Sequence, residues 1–344
     1  MGWSRVNYLP PTIWQRKDKP CKHIFGHPLK DRLKINNKFA GEILATVTRS
    51  GTAESLHLGH LIVLNADGST YLSKGSPELP IFPRSAVKSL QASAMLKAGL
   101  TVGDKELAII CASHSGNQSH IDLVIKMLEK RGIPISALKN AVDKPLGEKE
   151  KIAWGEKPPS QLAQNCSGKH AGMLITCKQS GWDMASYLDL NHPLQIAIKN
   201  EVEELAGEKV SAVSIDGCGA PLFAISLTGL ARSIFNLVKS KESVHKQIVT
   251  ACTTYPELVA GEGRLTTRMM KTVPGLFMKE GAEGIEVCAL PDGRVIAIKI
   301  IDGSWRPVAP IIMEIFKRWG VVMPDESVKI YGGTSVIGEV LVNL

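Results

Sequence analysis

Ser85 and Lys88, in the run PRSAVK, stand three residues apart, so one helical turn would set a hydroxyl beside an amine. A lysine withdrawn from water and kept near another cation, here Arg84, gives up its proton more readily. Its neutral amine can then take the serine proton and make a nucleophile. Arg84 also suits a two-pronged contact with a substrate carboxylate. Ser-x-x-Lys by itself is common, so its company matters. The segment AIICASHSG puts Ser113, His114, Ser115 and Gly116 directly after an apolar run, where polar side chains can face a cleft. The plainer reading of the same residues is the start of the next helix, for which Ser119 is a suitable N-cap.

A second group of chemically capable residues lies further on. QNCSGKHAGMLITC holds Cys166, Lys169 and His170 around a glycine turn, and DGCGAP adds Asp216 and Cys218. Two thiolates and a nitrogen suit a borderline ion such as zinc, although paired CxxC spacing is absent and a lysine ligand must be neutral. Buried structural cysteines account for the same residues more simply. Seven cysteines, at 21, 111, 166, 177, 218, 252 and 288, are odd in number and dispersed, which argues for reduced thiols or metal ligands over a disulfide framework.

The elements that must position these groups follow from hydrophobic patterning. GEILATVTRSG and HLIVLNADGSTYLSKG read as strands, with a turn at Ala66-Asp67-Gly68-Ser69. From Pro83 to about residue 250 the pattern becomes largely helical, including Pro83–Leu100, SHIDLVIKMLEKRG and HPLQIAIKNEVEELAGE. The first of these is apolar on all sides, with Val87, Leu90 and Ala94 on one side and Ala92, Met95 and Leu96 on the other, so it belongs in the interior. Strands return in GIEVCALPDGRVIAIKIIDG, a helix follows in PVAPIIMEIFKRWG, and VIGEVLVNL closes the chain. The fold class expected is α+β, an antiparallel sheet assembled from N- and C-terminal strands and covered by a central helical region.

With 344 residues, 44% hydrophobic and 22% charged, the chain can bury a large core. No run reaches the roughly 20 apolar residues of a membrane span. The opening residues lack a secretory signal pattern, which leaves the cytoplasm as the expected compartment. The net charge of +8 is concentrated in residues 1–38, where nine Lys or Arg face only Asp18 and Asp31. The remainder is close to neutral and has no basic, aromatic-interleaved face, so neither nucleic acid nor a membrane surface is an expected partner. The division expected is a basic N-terminal extension over 1–38, either disordered or the product of a start codon set too early, and one catalytic domain over 39–344.

Taken in order, FPRSAVKSLQ, CASHSGNQSH, NCSGKHAGML, DGCGAPLFAISLTGLAR, YPELVAGEGR and MKEGAEGIEV resemble the Rhizobium-type inducible L-asparaginases, a serine-dependent group. The resemblance implies a serine β-lactamase/glutaminase-like fold, hydrolysis of L-asparagine to aspartate and ammonia, and a homodimer. It implies two Ser-Lys pairs, Ser85 with Lys88 and Ser113 with Lys279, with Ser85 the expected nucleophile and the second pair assisting. It further implies zinc on Cys166, Lys169 and Cys218, with Arg84, His170 and Asp216 near the substrate. Two positions depart from the family pattern: Ser50 where glycine is usual, and Thr266 where aspartate is expected. The rival readings are a non-catalytic or regulatory amino-acid-binding homologue and a penicillin-recognising serine hydrolase. The second lacks an SDN motif, and KTVPG is not KTG.

Overall fold

Turn chemistry sets the hairpins of the sheet. In the computed structural model, which describes residues 39 and 41–344, strands β1 (Glu42–Arg49) and β2 (Thr52–Leu64) are joined through Ser50 and Gly51, at φ +48° and +78°. Two positive φ values are what a two-residue turn between twisted strands requires. Ser50 adopts the left-handed conformation at a steric cost, which explains why glycine suits that position. The turn before β3 (Thr70–Lys74) closes with the Asn65 N–H donating to the Ser69 carbonyl, and Asp67 Oδ1 accepts from the Ser69 N–H. Strands β4 (Pro80–Ile81), β5 (Ala212–Ile215) and β6 (Pro221–Ser226) form a small antiparallel sheet in the order β4-β6-β5. This sheet corrects the expectation of a helical middle: PLFAIS is too short an apolar run for a buried helix, and every residue of β6 is buried.

Late strands β7 (Phe277–Glu280), β8 (Ile285–Ala289), β9 (Val295–Ile300), β10 (Lys329–Gly332) and β11 (Ser335–Val342) complete the main sheet. Among the described residues it has eight strands, in the order β10-β11-β1-β2-β9-β8-β7, with β3 also paired to β2 and every pairing antiparallel. N-terminal β1 and β2 thus lie between C-terminal β11 and β9, as the pattern at the two ends of the sequence predicts. All positions of β8 and β9 are buried, so both faces of the sheet centre are covered.

The helices are α1 (Lys88–Lys97), α2 (Asp104–Ile110), α3 (Gln118–Glu129), α4 (Glu148–Trp154), α5 (Ser167–Ser180), α6 (Pro193–Ala206), α7 (Leu227–Lys239), α8 (Ser243–Thr254), α9 (Pro256–Val259), α10 (Leu265–Thr272) and α11 (Val308–Arg318). Helix α7 packs on β2, β8 and β9, and α11 on β9 and β11. Helix α1 is buried from Lys88 to Met95 and touches α5, α6 and α8, the interior place expected of a helix without a polar face. Its start differs from expectation: Arg84–Val87 is a 3-10 turn, entered with Arg84 at φ +53°, and the α-helix begins at Lys88. The N-cap of α3 is Asn117, whose side chain accepts from the His120 N–H, and Ser119 donates to that same side chain. Gly116, at φ +81°, turns the chain directly before Asn117, two residues earlier than the Ser119 cap would need.

All described residues belong to one unit, Asn37–Leu344. The basic segment expected over 1–38 lies outside the described residues, as does Cys21, and the other six cysteines are free and buried. Among the described residues no helix is long and apolar enough to cross a membrane.

Close backbone packing brings the two chemical segments together. A Cβ on Gly168, in the first turn of α5, would stand 2.2 Å from the carbonyl oxygen of Ile109 in α2, four residues before Ser113. Gly168→Ala therefore forces α2 and α5 apart, at an expected cost of about 1–3 kcal/mol. The measurement is the urea midpoint, which should fall with an unchanged slope; a wild-type midpoint would mean that the contact is slack.

Candidate active site

Residues 113–115 run as an extended segment after α2. The Ser113 N–H donates to Val259 O at 3.0 Å, the Ser115 N–H to Ala260 O at 2.7 Å, and the His114 N–H to Asn165 O at 3.3 Å. Neighbouring chain on two sides therefore holds the backbone of Ser113, and its side chain points to two amines. Lys88 Nζ donates to Ser113 Oγ at 3.3 Å and to Ala112 O at 2.5 Å. Lys279 Nζ, from β7, lies 2.9 Å from the same Oγ and donates to Glu280 O at 2.8 Å. All three side chains are buried. Among the described residues, both lysines meet Ser113 and neither meets Ser85.

Two ammonium groups cannot share this hydroxyl without penalty. Their nitrogens are at most 6.2 Å apart, the sum of the two reaches to Oγ. At an effective dielectric near 20, like charges at such a distance repel by roughly 3 kcal/mol, which corresponds to about a hundredfold in acid dissociation. Burial is the larger cause, and together with the Lys88 and Arg264 cations it lowers Lys279 to about 8 against the opposing pull of Glu280 and Glu286. Glu286 is itself buried, and burial followed by Glu280 pushes its carboxyl well above the usual range.

Ser85 sits in the 3-10 turn, half-buried, and shares with Ser113 a pocket of about 220 Å³. Asn165, Arg264, Glu280, Glu283 and Trp305 also line it. Arg264 donates to Ser113 O at 2.8 Å and is ion-paired with Glu280. None of these five was singled out from the sequence. Arg264 and Glu280 stand inside GEGR and MKEG, but only the folded chain sets a β7 carboxylate against an arginine entering α10.

The cysteines gather on the other side of the Ser85 turn. Arg84 Nε donates to Asp216 Oδ1 at 2.6 Å, and this pair holds the left-handed residue that precedes Ser85. Burial alone would raise the Asp216 carboxyl, but Lys169 and then Arg84 outweigh it and keep it below the usual range. Lys169 Nζ donates to Cys218 Sγ at 3.1 Å. A hydrogen bond from the Cys166 thiol, aided by Lys169 against the cost of burial, lowers Cys218 to about 5, while the same bond and burial push Cys166 up to about 12. Burial favours a neutral Lys169, but Cys218, Cys166 and Asp216 raise it above its ordinary value. In this arrangement Lys169 is an ammonium beside a thiolate, the reverse of the neutral amine that a metal ligand requires.

The donor set nevertheless fits a metal. Single ligand atoms of Cys166, Asp216 and Cys218 lie within 4.8 Å of one another, and a metal ion would displace the protons of Cys166 and Lys169. His170 stands apart from the pocket lining. The Tyr187 hydroxyl accepts from the Lys139 N–H and is hydrogen-bonded to His170 Nδ1 at 2.8 Å. Burial first, then Lys169, keeps His170 well below its ordinary value. Its Nε2 is buried without a hydrogen-bond partner among the described residues. Thr266, where aspartate is expected, is also buried with its hydroxyl unpartnered among the described residues.

A buried serine thus lies between two lysines and opens on a small pocket. The L-asparaginase II family model matches residues 45–336, and the chain belongs to that family of hydrolases. No curated protein matches it. Among solved structures, it is similar to a β-lactamase from Mycobacterium bovis, at 12% identity over 76% of this chain and 94% of that one, with a TM-score of 0.41. It is also similar to the native form of a protein called Mglu, at 13% identity over 78% of this chain and 65% of that one, with a TM-score of 0.42.

Proposed function

We propose that the chain hydrolyses the side-chain amide of free L-asparagine through a serine acyl-enzyme, releasing ammonia and then L-aspartate. The observation that carries this reading is the Ser113 hydroxyl, 2.9 Å from an amine lowered to about 8. Neutral Lys279 takes the Ser113 proton as Oγ attacks the amide carbon. The C–N bond breaks as Lys279 returns that proton to the leaving nitrogen, and ammonia departs. Water, deprotonated by the same amine, attacks the β-aspartyl ester, and the proton goes back to Ser113 as aspartate leaves. The ammonium of Lys88, bonded to Ser113 and to Ala112 O, stabilises the alkoxide-like oxygen.

This reading gives Ser113 the part that the sequence pattern favoured for Ser85. Lys88 is engaged with Ser113 and with a backbone carbonyl, so Ser85 would need that amine to move before it could lose a proton. Ser85 faces the same pocket and is suited to orient the amide or the attacking water. Zinc is proposed beside the site on Cys166, Lys169 and Cys218. When bound it would supply positive charge and fix Asp216, which in turn fixes Arg84 and the turn that carries Ser85.

Four measurements test the reading. Ser113→Ala should lose at least roughly a thousandfold in ammonia release from asparagine, and an intermediate trapped in wild type should carry its added mass on Ser113. Mass on Ser85 would transfer the role to Ser85 and Lys88, and no ammonia from asparagine or glutamine in wild type would end the hydrolytic reading. Because the base must be neutral, kcat/KM should rise with pH up to a plateau, with a midpoint near 8; a profile flat from neutral pH upward would remove Lys279 as the base. Elemental analysis of wild type should find about one zinc per chain. Cys166→Ala and Cys218→Ala should abolish it, and equal zinc in those variants would place the metal elsewhere.

A further inference from the structure

The turn joining β7 to β8 contains Glu283 at φ +61°, one of three non-glycine residues with positive φ among the described residues. The second is Arg84 and the third, Ser50, lies in a hairpin. A side chain in that conformation is held there by its surroundings, and such residues gather where a ligand is gripped. The surroundings are identifiable. Lys299 on β9, a buried cation in no ion pair among the described residues, donates from Nζ to the Glu283 carbonyl and to Ile300 O at 3.0 Å. Gly281 brings the turn onto the segment that carries Ser85, since a Cβ there would stand 2.6 Å from the Pro83 carbonyl oxygen. A Cβ on Gly303 would come within 3.1 Å of Glu283 Oε2, so that glycine leaves room for the carboxylate.

Glu283 therefore lines the pocket of the two serines from a fixed backbone. The pocket's other lining carboxylate, Glu280, is committed to Arg264, whereas the carboxylate of Glu283 is in no ion pair among the described residues. A free amino acid entering this pocket brings an ammonium group that needs an anion, and Glu283 is the uncommitted one. We propose that Glu283 receives the α-ammonium group of the substrate and so determines that the enzyme takes an amino acid and not a simple carboxylic amide. The proposal rests on the reading of the pocket as an amino-acid site. Lys299 is then a positioning residue that acts through the Glu283 carbonyl.

The experiment compares asparagine with succinamic acid, the same amide without the α-amino group, in wild type and Glu283→Gln. The expected result is a fall of at least roughly tenfold in kcat/KM for asparagine, mostly in KM, with succinamic acid unchanged. Equal losses on both substrates, or no loss on asparagine, overturn the proposal. Titration calorimetry with L-aspartate and succinate reads the same contact without turnover. Wild type should prefer aspartate, and Glu283→Gln should erase the preference. That result in a protein releasing no ammonia would defeat the hydrolytic reading and leave this one standing. A preference that survives Glu283→Gln, or no binding of either ligand to wild type, overturns it. Lys299→Met should weaken the preference while leaving Glu283 present, a result that a merely structural lysine would not give.

Discussion

A hydroxyl held between two buried amines sets a requirement that the rest of the molecule has to meet. Lys88 and Lys279 come from different parts of the chain, one at the start of the central helix and one on a late strand, and both end at Ser113 Oγ. Burying two like charges so close is unfavourable unless one gives up its proton or each finds an acceptor. The protein does both. Backbone carbonyls of Ala112 and Glu280 accept from the amines, and Lys279 is left weakly basic. The sheet, the central helix and the extended segment at 113–115 are what keep these three side chains together.

The second polar cluster handles charge differently. Around Cys218, a thiol, an ammonium and a carboxylate compensate one another in a buried setting, and the outcome is a thiolate beside a protonated lysine. Asp216 links that cluster to the first, because it anchors Arg84 in a left-handed conformation immediately before Ser85. A change of charge at the cysteines therefore has a short covalent and ionic route to the pocket: Cys218, Asp216, Arg84, Ser85. Strain at Arg84 and Glu283 fits the same pattern, since both residues flank the pocket and each is pinned by a specific partner.

Much of this was legible in the sequence, and for identifiable reasons. Hairpin turns are local, so Asp67-Gly68 declares itself without tertiary help. A helix without a polar face has to be interior, and α1 is. The short strands of the small sheet escaped because six apolar residues carry no decisive period. The shift of the α3 cap from Ser119 to Asn117 turned on one glycine whose φ the sequence does not state.

By itself the sequence determined which residue types are available for chemistry and, through their order, the family. Ser85, Lys88, Ser113, Cys166, Lys169, Asp216 and Cys218 all stand in short runs whose composition marks them. Only the tertiary structure decided the partnerships. It gave Lys88 to Ser113 instead of to its neighbour one turn away, because the lysine side chain extends past its own helix to the segment packed against it. It set Arg264, Glu280 and Glu283 around one pocket, and it raised Lys169 where the surroundings could equally have lowered it. Proton affinity and hydrogen-bond partnership depend on burial and on charges brought from distant positions, and spacing along the chain carries no record of either.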